Sequence, residues 1–336
     1  MQGYKVVFTQ IGQAEIQEFV VKEPKENEVV IKVLYTLISA GTEKAIFRGE
    51  VQTGCTFPRV PGYSSVGTIV KVGKNVTQFK EGDRVFAARG GHGSYNTRPI
   101  SRVVKIPDEV RFEDAVFTRM ASFPLLALRR SHIELGETAV IVGLGVLGLI
   151  GVQLAKIAGA LPVIAVGNRE IRRELARKSG ADYVFEPNDP KLKEKIVKIS
   201  SQYGNSGANV VIETSGSVDA LISAINYTGK RGRIALNGCN WGIPEKPIDL
   251  YKIHLNGIEL IGVHDSTRMP YNSAPGNWTA KKDFMTILGL MEKKRIDVSS
   301  LRSNIVSAEK APEIYGRLLN DRQFPLGVIF DWSQYW

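Results

Sequence analysis

Hydrophobic and polar positions change rhythm partway along this 336-residue chain. Up to about residue 117, apolar side chains alternate with polar ones in short runs: Lys5–Phe8, Val29–Tyr35, Val66–Val72, Arg84–Ala87 and Arg102–Ile106. Period-two alternation, punctuated by turn formers such as Pro61-Gly62 and Glu81-Gly82-Asp83, predicts half-buried β-strands. From about residue 118, short apolar-rich runs appear at Ala139–Val142, Val163–Val166, Asn209–Ile212, Arg233–Leu236 and Glu259–Val263, with longer helical stretches between them. Strands alternating with helices predict a parallel sheet covered on both faces. The remaining sequence predicts an amphipathic helix over Ala280–Lys294, a helix over Glu309–Leu319 and a strand over Gly327–Phe330. The expected fold class is α/β, a doubly wound parallel sheet joined to a β-rich domain.

Composition narrows the classes of function. The two cysteines, Cys55 and Cys239, belong to no C-x-x-C or Cys/His cluster, so no disulfide framework or thiolate zinc knuckle is readable. Cys239 reads as buried rather than reactive. His92, His132, His254 and His264 lie far apart, which argues against a structural zinc site. The longest apolar stretch, Leu144 to Ala158, is broken by glycines, Gln153 and Lys156, and does not suit a bilayer span. The first ten residues alternate like a strand and carry no signal-peptide core, so a cytoplasmic location is the default expectation. The formal charge of +10 raises nucleic acid as a partner. The basic residues are dispersed, however, with small clusters only at Arg169–Arg173 and Lys191–Lys198 and no aromatic-basic stripe. No nucleic-acid or membrane partner is expected. An anionic small substrate or a phosphorylated cofactor accounts for the charge equally well.

One motif carries specific chemistry. Ala139-Val-Ile-Val-Gly143-Leu-Gly145-Val-Leu-Gly148 is a buried strand running through G-x-G-x-x-G into a helix. Gly143 permits the tight turn, Gly145 lets backbone approach a pyrophosphate, and Gly148 lets the helix pack on the strand. The N–H groups of Val146 and Leu147 then open a helix N-terminus toward the phosphates. In NAD enzymes an acidic residue about 20 positions further on holds the ribose 2′-hydroxyl. Here the next strand ends in Gly167-Asn168-Arg169, followed by Arg172 and Arg173. A carboxylate is missing where it would repel a 2′-phosphate, and a guanidinium stands where it would pair with one. NADP(H) is the cofactor expected. Arg173 reads as a solvated helix face.

These motifs, with Ala40-Gly-Thr-Glu43, Val60-Pro-Gly62-Tyr63-Ser-Ser-Val-Gly67 and Gly82-Asp83-Arg84-Val85, resemble the medium-chain dehydrogenase/reductase superfamily across essentially the whole chain. The resemblance implies a GroES-like catalytic domain over 1–117, a Rossmann NADP-binding domain over 118–265, and a C-terminal return to the catalytic domain over 266–336. Gly143–Gly148 with Gly167-Asn168-Arg169 is similar to the NADP-dependent secondary alcohol dehydrogenases of the superfamily. Ala40, Tyr63 and Arg119 stand where zinc-containing members carry ligands, and the four-cysteine structural lobe is absent. The resemblance therefore implies a zinc-independent branch, with Ser39–Glu43 and Pro61–Tyr63 most like the bacteriochlorophyllide dehydrogenase-like group.

Without a metal, organic groups must stabilise charge on the substrate oxygen. Thr42 matches the family's proton-relay hydroxyl, although a turn hydroxyl reads the same way. Tyr63 could protonate an alkoxide or simply fill the vacated ligand space. Arg119 could act as electrophile or anion anchor, or form a structural salt bridge, for instance with Glu43. His92, in the flexible-looking loop Gly90-Gly-His-Gly-Ser-Tyr95, is a candidate acid/base. Thr214, Ser215, Asn237 and Gly238 end the fourth and fifth parallel strands and are candidate ribose or nicotinamide contacts, with ordinary turn chemistry as the alternative. The loop His264–Trp278, with Tyr271, Asn272 and Trp278, is a candidate cover for the cleft. The leading expectation is a hydride transfer between nicotinamide and an alcohol/carbonyl substrate. Quinone/enoyl-type reduction and non-catalytic nucleotide binding are the alternatives. The apolar edge strand around Ile258–Val263 implies a homodimer or homotetramer.

Overall fold

The computed structural model describes every residue except 51–53, 55, 239–241, 243–244, 270–272, 275–277 and 322. Cys55, Cys239, Tyr271 and Asn272 thus lie outside the described residues. The chain divides into two compact units, Met1–Met120 with Phe284–Trp336, and Ala121–Asp283.

In chain order the elements begin with β1 (Gln2–Gln10), β2 (Gln13–Val20), β3 (Glu28–Leu37), α1 (Ala40–Phe47), β4 (Ser64–Val72), β5 (Arg84–Ala88), β6 (Tyr95–Pro99), β7 (Val103–Lys105), α2 (Phe112–Ala115) and α3 (Thr118–Arg130). There follow β8 (Ala139–Val142), α4 (Val146–Ile157), β9 (Val163–Val166), α5 (Glu170–Lys178), β10 (Tyr183–Phe185), α6 (Leu192–Gln202), β11 (Ala208–Glu213), α7 (Val218–Tyr227), β12 (Thr228–Leu236), α8 (Leu250–Asn256) and β13 (Glu259–Gly262). The last elements are α9 (Ala280–Glu292), β14 (Arg302–Ser307), α10 (Ala311–Asn320) and β15 (Gly327–Asp331).

The first unit is built on a sheet ordered β14-β15-β3-β4-β5-β7, with β6 also pairing β3. Strand β15 runs antiparallel to β3, placing Ile329 opposite Leu37, and β14 runs parallel to β15. Inward positions of β1, β3, β4 and β15 bury Phe8, Ile31, Ile69 and Phe330. Around them close Phe47, Tyr315 and Trp332, with Phe8 and Tyr315 meeting edge to face at 4.7 Å. Such a pair adds about 0.5–1.5 kcal/mol to the area it removes from water.

The second unit is a six-stranded parallel sheet in the order β10-β9-β8-β11-β12-β13. Parallel strands covered on both faces read as continuous apolar runs because neither face meets water. Ala139–Val142 and Val163–Val166 are accordingly buried throughout. The architecture is the α/β fold expected, a Rossmann-like parallel sheet with a GroES-like domain.

Residues 266–283, expected to return to the catalytic domain, instead pack within the second unit. Arg268 donates to the Ser122 carbonyl at 2.7 Å and pairs with Asp265 at 2.9 Å. Arg268 and Arg129 also converge on the fully buried Asp283. Asp283 is buried only because these guanidiniums neutralise it, which ties Arg268 and Asp283 to α3 of the second unit.

Candidate functional site

The glycine-rich turn has the strand-turn-helix form that binds a diphosphate. Gly143 sits at φ +88°, in the left-handed region, and a Cβ there would lie 2.7 Å from the Ser215 nitrogen. At Gly148 a Cβ would lie 1.8 Å from the Gly143 carbonyl oxygen, so only glycine lets α4 start this close to β8. Gly145 caps α4 without any side-chain bond, and a Cβ there would meet nothing within 4 Å. The first turn of α4, at Val146 and Leu147, holds no acidic residue. Its orphan N–H groups stand at the positive end of the helix dipole.

The end of β9 is shaped as tightly. Gly167 lies against Leu144, where a Cβ would come within 2.6 Å of Cδ1. Asn168 is exposed, and Arg169 stands at the N-cap of α5, making no cap bond with its side chain. Among the described residues neither Arg169 nor Arg172 makes an ion pair. Burial, and then the neighbouring Arg169 charge, hold the Arg172 guanidinium down to about 10. Two half-buried, uncompensated guanidiniums favour a multiply charged anion between them. Arg173 is no solvated face: it donates to the Gly167 carbonyl at 2.8 Å and pairs with Glu170, fixing the turn.

Thr214 and Ser215 shape the crevice from β11. The Thr214 hydroxyl bonds the Gly143 carbonyl at 2.7 Å, tying β11 to the turn. Ser215 donates its N–H to Glu213 at 2.8 Å and its hydroxyl to the same carboxylate. Burial pushes the Glu213 carboxyl up while these bonds and Gly216 N–H hold it down, with burial ahead. Gly238 approaches so closely that a Cβ would lie 2.4 Å from the Gly216 nitrogen. Asn237 donates to the Phe123 carbonyl at 3.2 Å, while its Oδ1 is buried with no hydrogen-bond partner among the described residues. A buried orphan acceptor is costly, and a ligand N–H would satisfy it. The cradle, the two guanidiniums and this acceptor fit a nicotinamide dinucleotide.

In the first unit a buried polar network surrounds Tyr63. Its hydroxyl donates to Ser39 Oγ and also bonds Thr42. Burial raises the phenol above its ordinary value, while the Ser39 and Thr42 bonds pull it down. Ser39 opens α1, and its N–H donates to Glu43 Oε1 at 2.8 Å. Glu43 Oε2 accepts from Tyr315 Oη at 2.6 Å and meets His92 Nε2 at 3.1 Å. On its far side His92 Nδ1 meets Thr36 Oγ1 at 2.7 Å, and Trp332 Nε1 donates to the same oxygen at 3.0 Å. One hydrogen arrangement satisfies every group: Thr36 donates to His92 Nδ1, and His92 donates from Nε2 to Glu43 Oε2. Burial, then Glu43, raise the Tyr315 phenol well above its usual value, so it remains a donor.

Two expectations change here. His92 is fully buried and bonded on both ring nitrogens, so it belongs to the core rather than to a flexible loop. Its flanking glycines allow a close approach: a Cβ at Gly62 would lie 2.6 Å from His92 Cδ2. Arg119 does not bridge to Glu43, whose oxygens serve Ser39, His92 and Tyr315. It is buried instead with its guanidinium 5.8 Å from the Tyr63 ring centre and 5.6 Å from that of Phe284. Sequence reading missed Ser39, Thr36, Tyr315 and Trp332. Only Ser39, a helix-capping residue type ahead of the A-G-T-E run, carried a local signal.

Ala40, Tyr63 and Arg119 do not fit a zinc ion, since methyl and guanidinium groups donate no lone pair. Among the described residues no three His, Cys, Asp or Glu side chains stand together that could hold a metal. No helix among them is long and apolar enough to cross a membrane.

Residues 25–108 match the alcohol dehydrogenase GroES-like domain, and residues 146–274 match the zinc-binding dehydrogenase domain. D-guloside 3-dehydrogenase of Shigella flexneri is 28% identical over 365 residues, covering 97% of this chain and 99% of its own. L-threonine 3-dehydrogenase of Pyrococcus horikoshii is 31% identical over 256 residues, covering 67% of this chain and 72% of its own. The crystal structure of a Sinorhizobium meliloti 1021 protein bound to NADP has a TM-score of 0.83 at 20% identity, covering 98% of this chain and 99% of that one. The chain belongs to the medium-chain dehydrogenase/reductase family of zinc-type alcohol dehydrogenases. It is an oxidoreductase of the alcohol and polyol dehydrogenase type, in a nicotinamide-dependent family.

Proposed function

We propose that this chain is an NADP(H)-dependent dehydrogenase that interconverts a secondary alcohol and its ketone on a polyol or sugar, with organic groups in the place of zinc. The observation that carries the reading is the replacement of the metal-ligand positions by Tyr63 and Arg119. The phenol is hydrogen-bonded to Ser39 and Thr42, and a buried guanidinium lies beside its ring. The D-guloside relative supports the sugar alcohol, and the NADP-bound neighbour supports the cofactor.

Gly143–Gly148, Arg169, Arg172 and Asn237 would hold the dinucleotide, which when bound supplies or takes the hydride at the substrate carbon. In the reductive direction Tyr63 donates its proton to the carbonyl oxygen as the C–H bond forms. Thr42 and Ser39 orient the phenol, and Arg119 stabilises negative charge on the oxygen. A phenol, ordinarily near 10, is protonated at neutral pH, so Tyr63 holds the proton it donates, and burial shifts it further in that direction. A sheet edge at β13, with Leu260 exposed, supports a homodimer or homotetramer.

The test is a pair of variants assayed on a panel of polyols and sugars. Tyr63→Phe and Arg119→Met should each lower kcat by about 10²-fold or more, the lower bound for general acid catalysis. NADPH affinity should remain within twofold of the parent. Turnover unchanged in both variants would overturn the reading.

A further inference from the structure

A second cavity, unrelated to the nucleotide crevice, lies within the second unit. It encloses about 330 Å³ between the last turns of α3 and the segment after β13, and its walls include Leu126, Arg129, Arg130, His132, Met269 and Trp278. That volume is at the lower end of small-molecule sites, which run about 300–1,000 Å³. The His132 carbonyl accepts from Arg233 at 3.2 Å, and Arg233 is in register with Ala139, the first residue of β8. The His132 side of the cavity therefore lies toward the amino ends of the strands, whereas the glycine turn follows their carboxyl ends.

The charges in its wall are unequal. Arg129 and Arg268 share the buried Asp283, and Arg268 also pairs with Asp265. Both guanidiniums are thus held by carboxylates. Arg129 also lies over Trp278, its guanidinium 4.1 Å from a ring centre. Arg130 is different. It is half-buried against the cavity, and among the described residues it makes no ion pair or side-chain hydrogen bond. No acidic side chain is among the cavity's lining residues. The negative end of the α3 dipole offsets part of the Arg130 charge, by about half an elementary charge. Its planar fork of donors is free to take a bidentate acceptor.

We propose that this cavity binds a small organic monoanion, a carboxylate attached to a short apolar body, as an accessory ligand. Arg130 takes the carboxylate in a two-pronged hydrogen bond, while Leu126, Met269 and the Trp278 edge enclose the apolar part. The Arg130 guanidinium matches one negative charge, and Leu126, Met269 and Trp278 favour an anion with an apolar body over a bare inorganic one.

The test uses the full chain and calorimetric titration with benzoate, with benzyl alcohol and inorganic phosphate as controls. Benzoate is expected to bind saturably, at least tenfold more tightly than either control. Arg130→Gln should weaken it at least tenfold, Arg130→Lys should restore part of the loss, and NADPH affinity should stay within twofold in both. Benzyl alcohol binding as well as benzoate would overturn the proposal, as would phosphate binding as well. Benzoate affinity indifferent to residue 130, or no saturable benzoate binding, would overturn it too.

Discussion

Replacing Arg169 and Arg172 together by alanine tests how the cofactor is chosen. Neither side chain stabilises the empty protein much. Arg169 makes no capping bond at α5, and Arg172 is held down to about 10 because burial and a like charge disfavour its cation. Their removal should leave the unfolding midpoint unchanged or slightly raised. With a 2′-phosphate present, each guanidinium supplies a charge-assisted hydrogen bond of about 1.5–3 kcal/mol. Loss of one such bond weakens Kd by about 10- to 150-fold, and loss of both weakens it further, short of full additivity. NADH, which lacks the phosphate, should bind within about twofold of its parental affinity, since the Gly143–Gly148 cradle is untouched. Fluorescence titration of both cofactors at two salt concentrations reads the result, with the NADPH loss shrinking at high salt. Equal losses for NADH and NADPH, or no loss for either, would refute the role of these arginines.

Three further outcomes follow from the geometry. Gly145→Ala should fold normally, because its Cβ meets nothing within 4 Å, yet bind NADPH more weakly; Gly148→Ala, 1.8 Å from a carbonyl, should lose both, as thermal melts with and without NADPH would show. Glu43→Ala strands the Ser39 amide, the Tyr315 hydroxyl and the His92 ring, and should cost about 3–5 kcal/mol in urea unfolding; Glu43→Gln should cost less. The raised Tyr63 phenol favours the folded state fully below its unfolded value near 10 and loses that contribution as pH rises through the higher folded value. Stability above about pH 10 should therefore fall more in the parent than in Tyr63→Phe.

The nucleotide crevice was legible because its parts are local. An apolar strand, three glycines and a helix follow one another; Gly143 and Gly148 answer close approaches to the adjacent strand and the turn, while Gly145 leaves open space. The parallel strands were legible because burial on both faces leaves only apolar residues. Strands β2 and β14 were not, since Gln13–Val20 and Arg302–Ser307 are largely polar and exposed and hold their places through backbone pairing. The network around Glu43 was hidden for another reason. Its partners Tyr315 and Trp332 come from elements more than 270 positions away, so no local pattern announces them. His92 misled because glycines that usually mark a mobile loop here make room for a buried ring. Segment 266–283 misled because its anchor is a single buried aspartate, Asp283, shared by two arginines.

Strand β15 lies between β14 and β3, and Tyr315 and Trp332 complete the core that β3 and α1 begin. During synthesis, the ribosome delivers every piece of the nucleotide sheet before it delivers these. The nascent chain can close its dinucleotide half while the earlier half still shows an open strand edge and an unfilled aromatic cavity. The order of emergence thus makes the first-synthesised residues the last to be sealed, once translation has passed residue 332.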